Sequence, residues 1–228
     1  MTSSASDAPA SGAAASPVRA VFFDFGGVFI DSPFAAVGTA AAKLGLGPDD
    51  LIDVVFGPYD TDTDHPWHRL ERGEITFDEA RSGIGDLSES RGMERLDPIV
   101  ALADLAGGYE VREFMVQAVR DLRAQGITTG VITNNIAEFG STWRAMIPVD
   151  ELFDDVVDSS SVGMRKPDPA IYRLACERVG VDPAAAVFID DYQGNVDGAR
   201  AVGLQAVWCG YSVASTQAAL AELIALVG

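Results

Sequence analysis

The chain has 228 residues, 48% of them hydrophobic, only two cysteines, and a formal net charge of −18. That is enough apolar material to bury a core unaided, and two cysteines as far apart as Cys176 and Cys209 offer neither a disulfide framework nor a zinc knuckle, which fits a reducing cytoplasm. So acidic a surface repels phosphate backbones and anionic lipid, which argues against nucleic acid and membrane as partners; a site for an anionic ligand must supply its positive charge locally.

Residues 1–17 are small and polar and lack the basic and apolar regions of a secretory signal, so they read as a disordered tail. No run of 18 apolar residues occurs, so no membrane-spanning helix is expected. Residues 18–25 form an apolar run ending at Gly26-Gly27, the pattern of a buried parallel strand entering a tight turn. Between 31 and 107 no strand pattern appears; helical periodicity falls at 34–44, 49–56, 67–72 and 77–84. Beyond it, strands at 127–133, 155–158, 186–190 and 205–209 alternate with helices at 111–124, 137–147, 169–179, 195–201 and 215–227. This alternation predicts an α/β fold, a Rossmann-like parallel sheet covered on both faces. The core then comprises 18–30 and 108–228, with a helical cap domain, 31–107, inserted after the first strand.

Ligands of such sheets bind beyond the carboxyl ends of the strands. The residues expected there are Asp24, Thr133-Asn134-Asn135 and Asp190-Asp191, with Lys166 in a nearby loop. Asp24 on a two-glycine turn suits a nucleophile, or simply a turn cap. Thr133 and Asn134 suit phosphate oxygens, or a helix N-cap. Lys166, one of two lysines, lies between Arg165 and Pro167, and Pro169 opens a helix; this framing would hold it as a fixed point charge. Asp190 and Asp191, adjacent at a buried strand end, would repel without a cation, and Mg²⁺ shared with Asp24 would relieve them.

The segments FDFGGV, ERGEIT, GMRKPDPAIY and VFIDD…NVDGARAVG, spread from residue 22 to about 210, resemble the haloacid dehalogenase (HAD) superfamily, subfamily IA. The wording is similar to its branch containing α-glucose-1-phosphate phosphatase and the N-terminal phosphatase of soluble epoxide hydrolase. The resemblance implies that Asp24 forms an aspartyl-phosphate and that Lys166 neutralises the transferring group. Thr133 and Asn134, with the Gly26-Gly27 turn, would hold the phosphoryl oxygens. Mg²⁺ would lie on Asp24, Asp191 and the Gly26 carbonyl, with Asp190 in or beside its shell and Asn195 ordering metal-bound water. The cap would close over the substrate and select it.

One position departs from that pattern. Where family phosphatases carry a second Asp two residues after the nucleophile, this chain has Gly26. Either the leaving group needs little protonation, as in an anomeric sugar phosphate or acyl phosphate, or a cap histidine, His68 or His65, supplies the proton, or turnover is slow or lapsed. The expected activity is a Mg²⁺-dependent phosphomonoesterase acting on a small phosphorylated metabolite, a sugar phosphate favoured, in a monomer or homodimer. The alternatives are a 2-haloacid dehalogenase, whose relatives place small polar residues at the positions of Asp190-Asp191, and a phosphate-binding protein without turnover. Trp208, near the last strand, is expected in the core or at a partner.

Overall fold

The structure, a computed structural model, describes residues 17–100 and 110–228. Five parallel strands form one sheet: β1 (Ala20–Phe23), β2 (Thr128–Thr133), β3 (Asp155–Asp158), β4 (Ala186–Asp190) and β5 (Gln205–Trp208), in the order β3-β2-β1-β4-β5. The chain steps outward from β1 through β2 to β3, then returns to the other side of β1 for β4 and β5. The crevice beyond β1 and β4 is therefore the topological switch point, where open α/β sheets bind ligands.

Eleven α-helices occur among the described residues. Four follow β1: α1 (Val37–Lys43), α2 (Pro48–Val55), α3 (Pro66–Glu71) and α4 (Phe77–Ser90). The rest are α5 (Glu113–Ala124), α6 (Gly140–Arg144), α7 (Val149–Leu152), α8 (Ser159–Val162), α9 (Pro169–Val179), α10 (Gln193–Ala201) and α11 (Val213–Val227). β1 and β4 are buried along their whole length, as strands covered on both faces must be. Side chains alternate between the faces. Val21 and Phe23 join Met115, Val119 and Leu223 of α5 and α11 on one side. Ala20 and Phe22 meet Ile171, Tyr172, Val196 and Ala199 of α9 and α10 on the other.

Helices α1–α4 enclose a third apolar cluster, built on Leu51, Val54, Trp67, Leu70 and Ile84 and joined from the core by Ile136. This is the helical cap inserted after the first strand. Its expected end at 107, and nearly all of the expected tail, lie outside the described residues. α4 starts at a capping box in which Thr76 and Glu79 satisfy each other's backbone N–H groups. It runs on to Ser90, beyond the expected end at 84. Apolar spacing fades there, but buried Ser88 donates to the Gly85 carbonyl at 2.7 Å and accepts from Leu96 N–H at 2.8 Å, which holds the last turns. The helix expected over 137–147 is shorter, a 3₁₀ turn at Ala137–Phe139 leading into α6. Among the described residues no helix is long and apolar enough to cross a membrane.

Candidate active site

Two strand ends and one loop build the charged centre of the site. Asp24 follows β1, and its backbone N–H continues the sheet by donating to the Ile189 carbonyl at 2.9 Å. Asp190 closes β4 and Asp191 follows it. Lys166 enters from the loop before α9, fully buried, and its ammonium lies 2.8 Å from Asp24 Oδ1 and 2.7 Å from Asp190 Oδ2. One cation thus spans two acids, while Asn195 donates to both oxygens of Asp190 at 3.1 Å. The loop turns Lys166 inward, so it is not a solvated surface lysine.

Charge in this pocket is unbalanced. Asp24, Asp190 and Asp191 each bring an oxygen within 4.8 Å of the others, and Lys166 supplies a single positive charge. With all three ionised, the formal sum is −2. Burial, with the Asp190 charge adding to it, pushes the Asp24 carboxyl up to about 6 against the pull of Lys166. Burial also raises Asp191 well above the usual carboxylate range, and the charges of Asp190 and Asp24 add to it. Lys166 would be lowered by burial, but the charges of Asp190 and Asp24 outweigh it and raise the ammonium.

A divalent cation fits this donor set. Asp191 Oδ2 and Asn195 Oδ1 are buried with no hydrogen-bond partner, an arrangement that costs free energy unless something else meets them. Oxygen donors of this kind suit Mg²⁺, and two positive charges would cancel the local excess.

The turn after Asp24 approaches Asp191 closely. Gly27 has φ +72°, and a Cβ there would lie 2.1 Å from Asp191 Oδ2, so only glycine fits. Gly26 differs: its φ is ordinary and a Cβ would meet nothing nearer than Pro33 Cδ at 3.9 Å. Buried Arg112 braces the turn from behind, donating to the Gly27 carbonyl and, at 3.0 Å, to Thr216 Oγ1.

Asp24, Lys166 and Asp191 line a cavity of about 70 Å³, completed by Thr133, Asn134, Asn195 and Gly26 from the core and by Pro33, Phe34 and Tyr59 from the chain beyond Ile30. Asn134 lines it but is otherwise occupied. Its side chain accepts from Lys166 N–H at 2.8 Å and donates to the Lys166 carbonyl at 3.0 Å, clamping the lysine's backbone. Asn135 turns away to Asp158 and Ser159.

The two histidines do not line the cavity. His68 is fully buried, and its Nδ1 accepts from Thr63 N–H at 3.0 Å. Burial, with the Arg165 charge adding, lowers its pKa to about 3. His65 is the N-cap of α3, Nδ1 accepting from Trp67 N–H at 3.1 Å, and burial lowers it to about 4. Both imidazoles are neutral packing groups here, which removes the geometric basis for placing His68 at the substrate. Trp208 is 47% exposed, yet its Nε1 donates to the Asp191 carbonyl at 2.7 Å and so steadies the acid.

Sequence reasoning missed Phe34, Tyr59 and Arg112. Each lies in a stretch without a motif, and only the run Gly57-Pro58-Tyr59-Asp60, which reads as a turn carrying an aromatic ring, could have flagged one of them.

Comparison with known proteins follows the same lines. Acyl-CoA dehydrogenase family member 10 of Mus musculus is 32% identical over 92% of this chain, which spans only 19% of that protein's length. Sesquiterpene phosphatase astK of Aspergillus oryzae is 28% identical, with 92% of this chain and 97% of that protein covered. A HAD family enzyme of Bacteroides thetaiotaomicron, solved in complex with magnesium and inorganic phosphate, shares the fold with a TM-score of 0.60 at 22% identity, over 86% of this chain and 96% of that one. The haloacid dehalogenase-like hydrolase model matches residues 18–203, from ahead of β1 to past the end of α10, and the chain belongs to that family of hydrolases.

Proposed function

We propose that this hydrolase is a Mg²⁺-dependent phosphomonoesterase, acting on a small phosphorylated metabolite, sugar phosphates first, through an aspartyl-phosphate on Asp24. The observation that carries the reading is the Asp24–Lys166–Asp190 bridge set beside Asp191, a cluster whose net negative charge calls for a divalent cation. Attack on a carbon–halogen bond has no use for such a cation, so the acid cluster favours phosphoryl transfer over dehalogenation. The similarity to a sesquiterpene phosphatase and to a magnesium- and phosphate-bound enzyme supports the same choice.

Asp24, Asp191 and the Gly26 carbonyl, with Asp190 in or beside the shell, would hold Mg²⁺, which would offset the negative charge of the acids and of the phosphoryl group. Lys166 holds Asp24 Oδ1, which leaves Oδ2 to attack phosphorus. The ester P–O bond breaks and its electron pair leaves on the alcohol oxygen. Lys166 and Thr133 steady the phosphoryl oxygens, and Asn134 keeps Lys166 in place. Water then attacks the same phosphorus, the bond to Asp24 breaks, and inorganic phosphate leaves.

Gly26 puts no acid beside the leaving oxygen. General acid–base help is worth roughly 10²–10⁴-fold, so substrates whose alcohol departs readily as an anion, anomeric sugar phosphates among them, are turned over best. The test is phosphate release from p-nitrophenyl phosphate, anomeric sugar phosphates and their 6-phosphate counterparts, with and without Mg²⁺, with Asp24→Asn as control. Mg²⁺-dependent release that is lost in Asp24→Asn and favours anomeric esters is expected. Halide release from a 2-haloacid without phosphate release would overturn the reading.

A further inference from the structure

The residue before Lys166 is as deeply buried as Lys166 itself but points the other way. Arg165 belongs to the core loop, and its side chain runs into the cap. Its Nε donates to Glu71 Oε2 of α3 at 2.7 Å, and its guanidinium carbon stands 4.8 Å from the centre of the Tyr59 ring. Nη1 reaches the Thr61 carbonyl at 3.3 Å.

Glu71 is a hub. Its other oxygen accepts from the Tyr59 hydroxyl and from the Trp67 indole N–H, both at 2.9 Å. Tyr59 is one of the rings that wall the catalytic cavity. A continuous chain of contacts therefore runs from the cavity wall through Glu71 to Arg165, and along one peptide bond to the lysine that holds Asp24.

The energetics say what this chain does. A buried ion pair roughly breaks even against solvation, so Arg165 and Glu71 do not pull the cap shut with much force. Their geometry is demanding, however: a planar fork must meet one carboxylate oxygen while lying on one ring face. Such a pair selects one register of the cap on the core, the best-attested use of buried ionic groups.

Resting on the phosphatase reading above, we propose that Arg165 is a positioning residue that registers the closed cap, fixing Tyr59 as the cavity's cap-side wall through Glu71 while it anchors the Lys166 segment. Arg165 touches no reacting atom. Its effect on turnover passes through Tyr59, which meets substrate in ground and transition state alike and so weighs mainly on KM.

The experiment compares Arg165→Met, Glu71→Gln and the double variant with wild type, in the full chain with Mg²⁺, by two readouts. Amide hydrogen exchange is expected to quicken in both single variants at residues 57–72 and 164–168 together, while the centre of α9 stays as protected as in wild type. KM for p-nitrophenyl phosphate is expected to rise about tenfold in each single variant, and no further in the double, as for groups in one network. Unchanged exchange at 57–72 in a folded variant overturns the proposal whatever the activity, so it stands apart from failure of the phosphatase reading, which wild type and Asp24→Asn report. Wild-type KM per folded molecule, with lowered thermal stability alone, also overturns it. Where Arg165→Met does not fold, Arg165→Lys keeps the charge without the stacked fork; wild-type exchange and KM in that variant would overturn it equally.

Discussion

Gly27 and Asp191 share one small space: a methyl group on the glycine would sit 2.1 Å from the carboxylate oxygen Oδ2. The turn that presents Asp24, the proposed nucleophile, and the acid proposed to complete the Mg²⁺ site are therefore mutually dependent. Gly27→Ala meets both a left-handed backbone, costing about 1–2 kcal/mol, and the displacement of Asp191. The expected result is a lower melting temperature and a Mg²⁺ requirement raised at least about tenfold, a shift of about 1.4 kcal/mol in binding. Thermal unfolding and a Mg²⁺ titration of phosphate release check it; an unshifted Mg²⁺ midpoint would remove Asp191 from the metal site.

The pH dependence of stability has a definite sign. Burial raises Asp24 from 3.8 to about 6 in the folded chain, so the fold holds the proton more tightly than the unfolded chain does. Its contribution is fully present below about pH 4 and is lost as pH rises through about 6, a change of order 3 kcal/mol. Asp191 acts in the same direction. His65 and His68, lowered to about 4 and about 3, act oppositely: their contribution is present above about pH 6.5 and is lost as pH falls. Mg²⁺ separates the two sets, since it competes with protons for the acids alone. The gain in melting temperature on adding Mg²⁺ should grow from pH 4 to pH 7; a constant gain across that range would place the ion elsewhere.

How much of this was legible in the sequence depends on how far apart the partners lie. Asp24, Thr133 and Asp190 each end an apolar run, and in a parallel sheet such ends share an edge, so their convergence could be read without coordinates. Lys166 was legible from the prolines that follow it. Asn134 was legible as a site residue, but its two-bond clamp on the Lys166 backbone was not, because nothing in a T-N-N run says which way an amide faces. The Arg165–Glu71 and Arg112–Thr216 contacts join residues 94 and 104 positions apart. No local pattern encodes such pairs. The histidines are ambiguous for a related reason: His beside Trp in a cap reads the same whether it faces ligand or packs within the cap, and here His68 is buried while half-buried His65 caps α3.

Lys166 carries a prediction of its own. Replacing it by Met removes the cation shared by Asp24 and Asp190, and breaking a buried pair in this way costs about 3–5 kcal/mol. The deficit should be largest near pH 8 and shrink as pH falls, because burial favours the protonated form of Asp24 and loss of the Lys166 charge favours it further. Phosphate release should be lost across the whole range. Denaturant unfolding at pH 5 and pH 8 checks the first part; equal stability of the variant and wild type at pH 8 would mean that the bridge contributes nothing.

Gly26 is the position where an added group should help. Its φ is ordinary and its nearest prospective neighbour, Pro33 Cδ, lies 3.9 Å from an added Cβ. Unlike Gly27, then, it is glycine without steric need. An aspartate there would stand two residues beyond the nucleophile at the cavity's lining, where it could protonate a departing alcohol and then draw a proton from the attacking water. Gly26→Asp should therefore raise kcat/KM on alkyl phosphates with poor leaving groups by up to roughly 10²-fold, the lower end for general acid catalysis. On p-nitrophenyl phosphate, whose phenolate leaves unaided, it should change little. The informative quantity is the slope of log kcat/KM against leaving-group pKa, steep in wild type and flattened in the variant. A slope already shallow in wild type would mean that a proton donor operates in the native site, and the preference for anomeric esters would lose its basis.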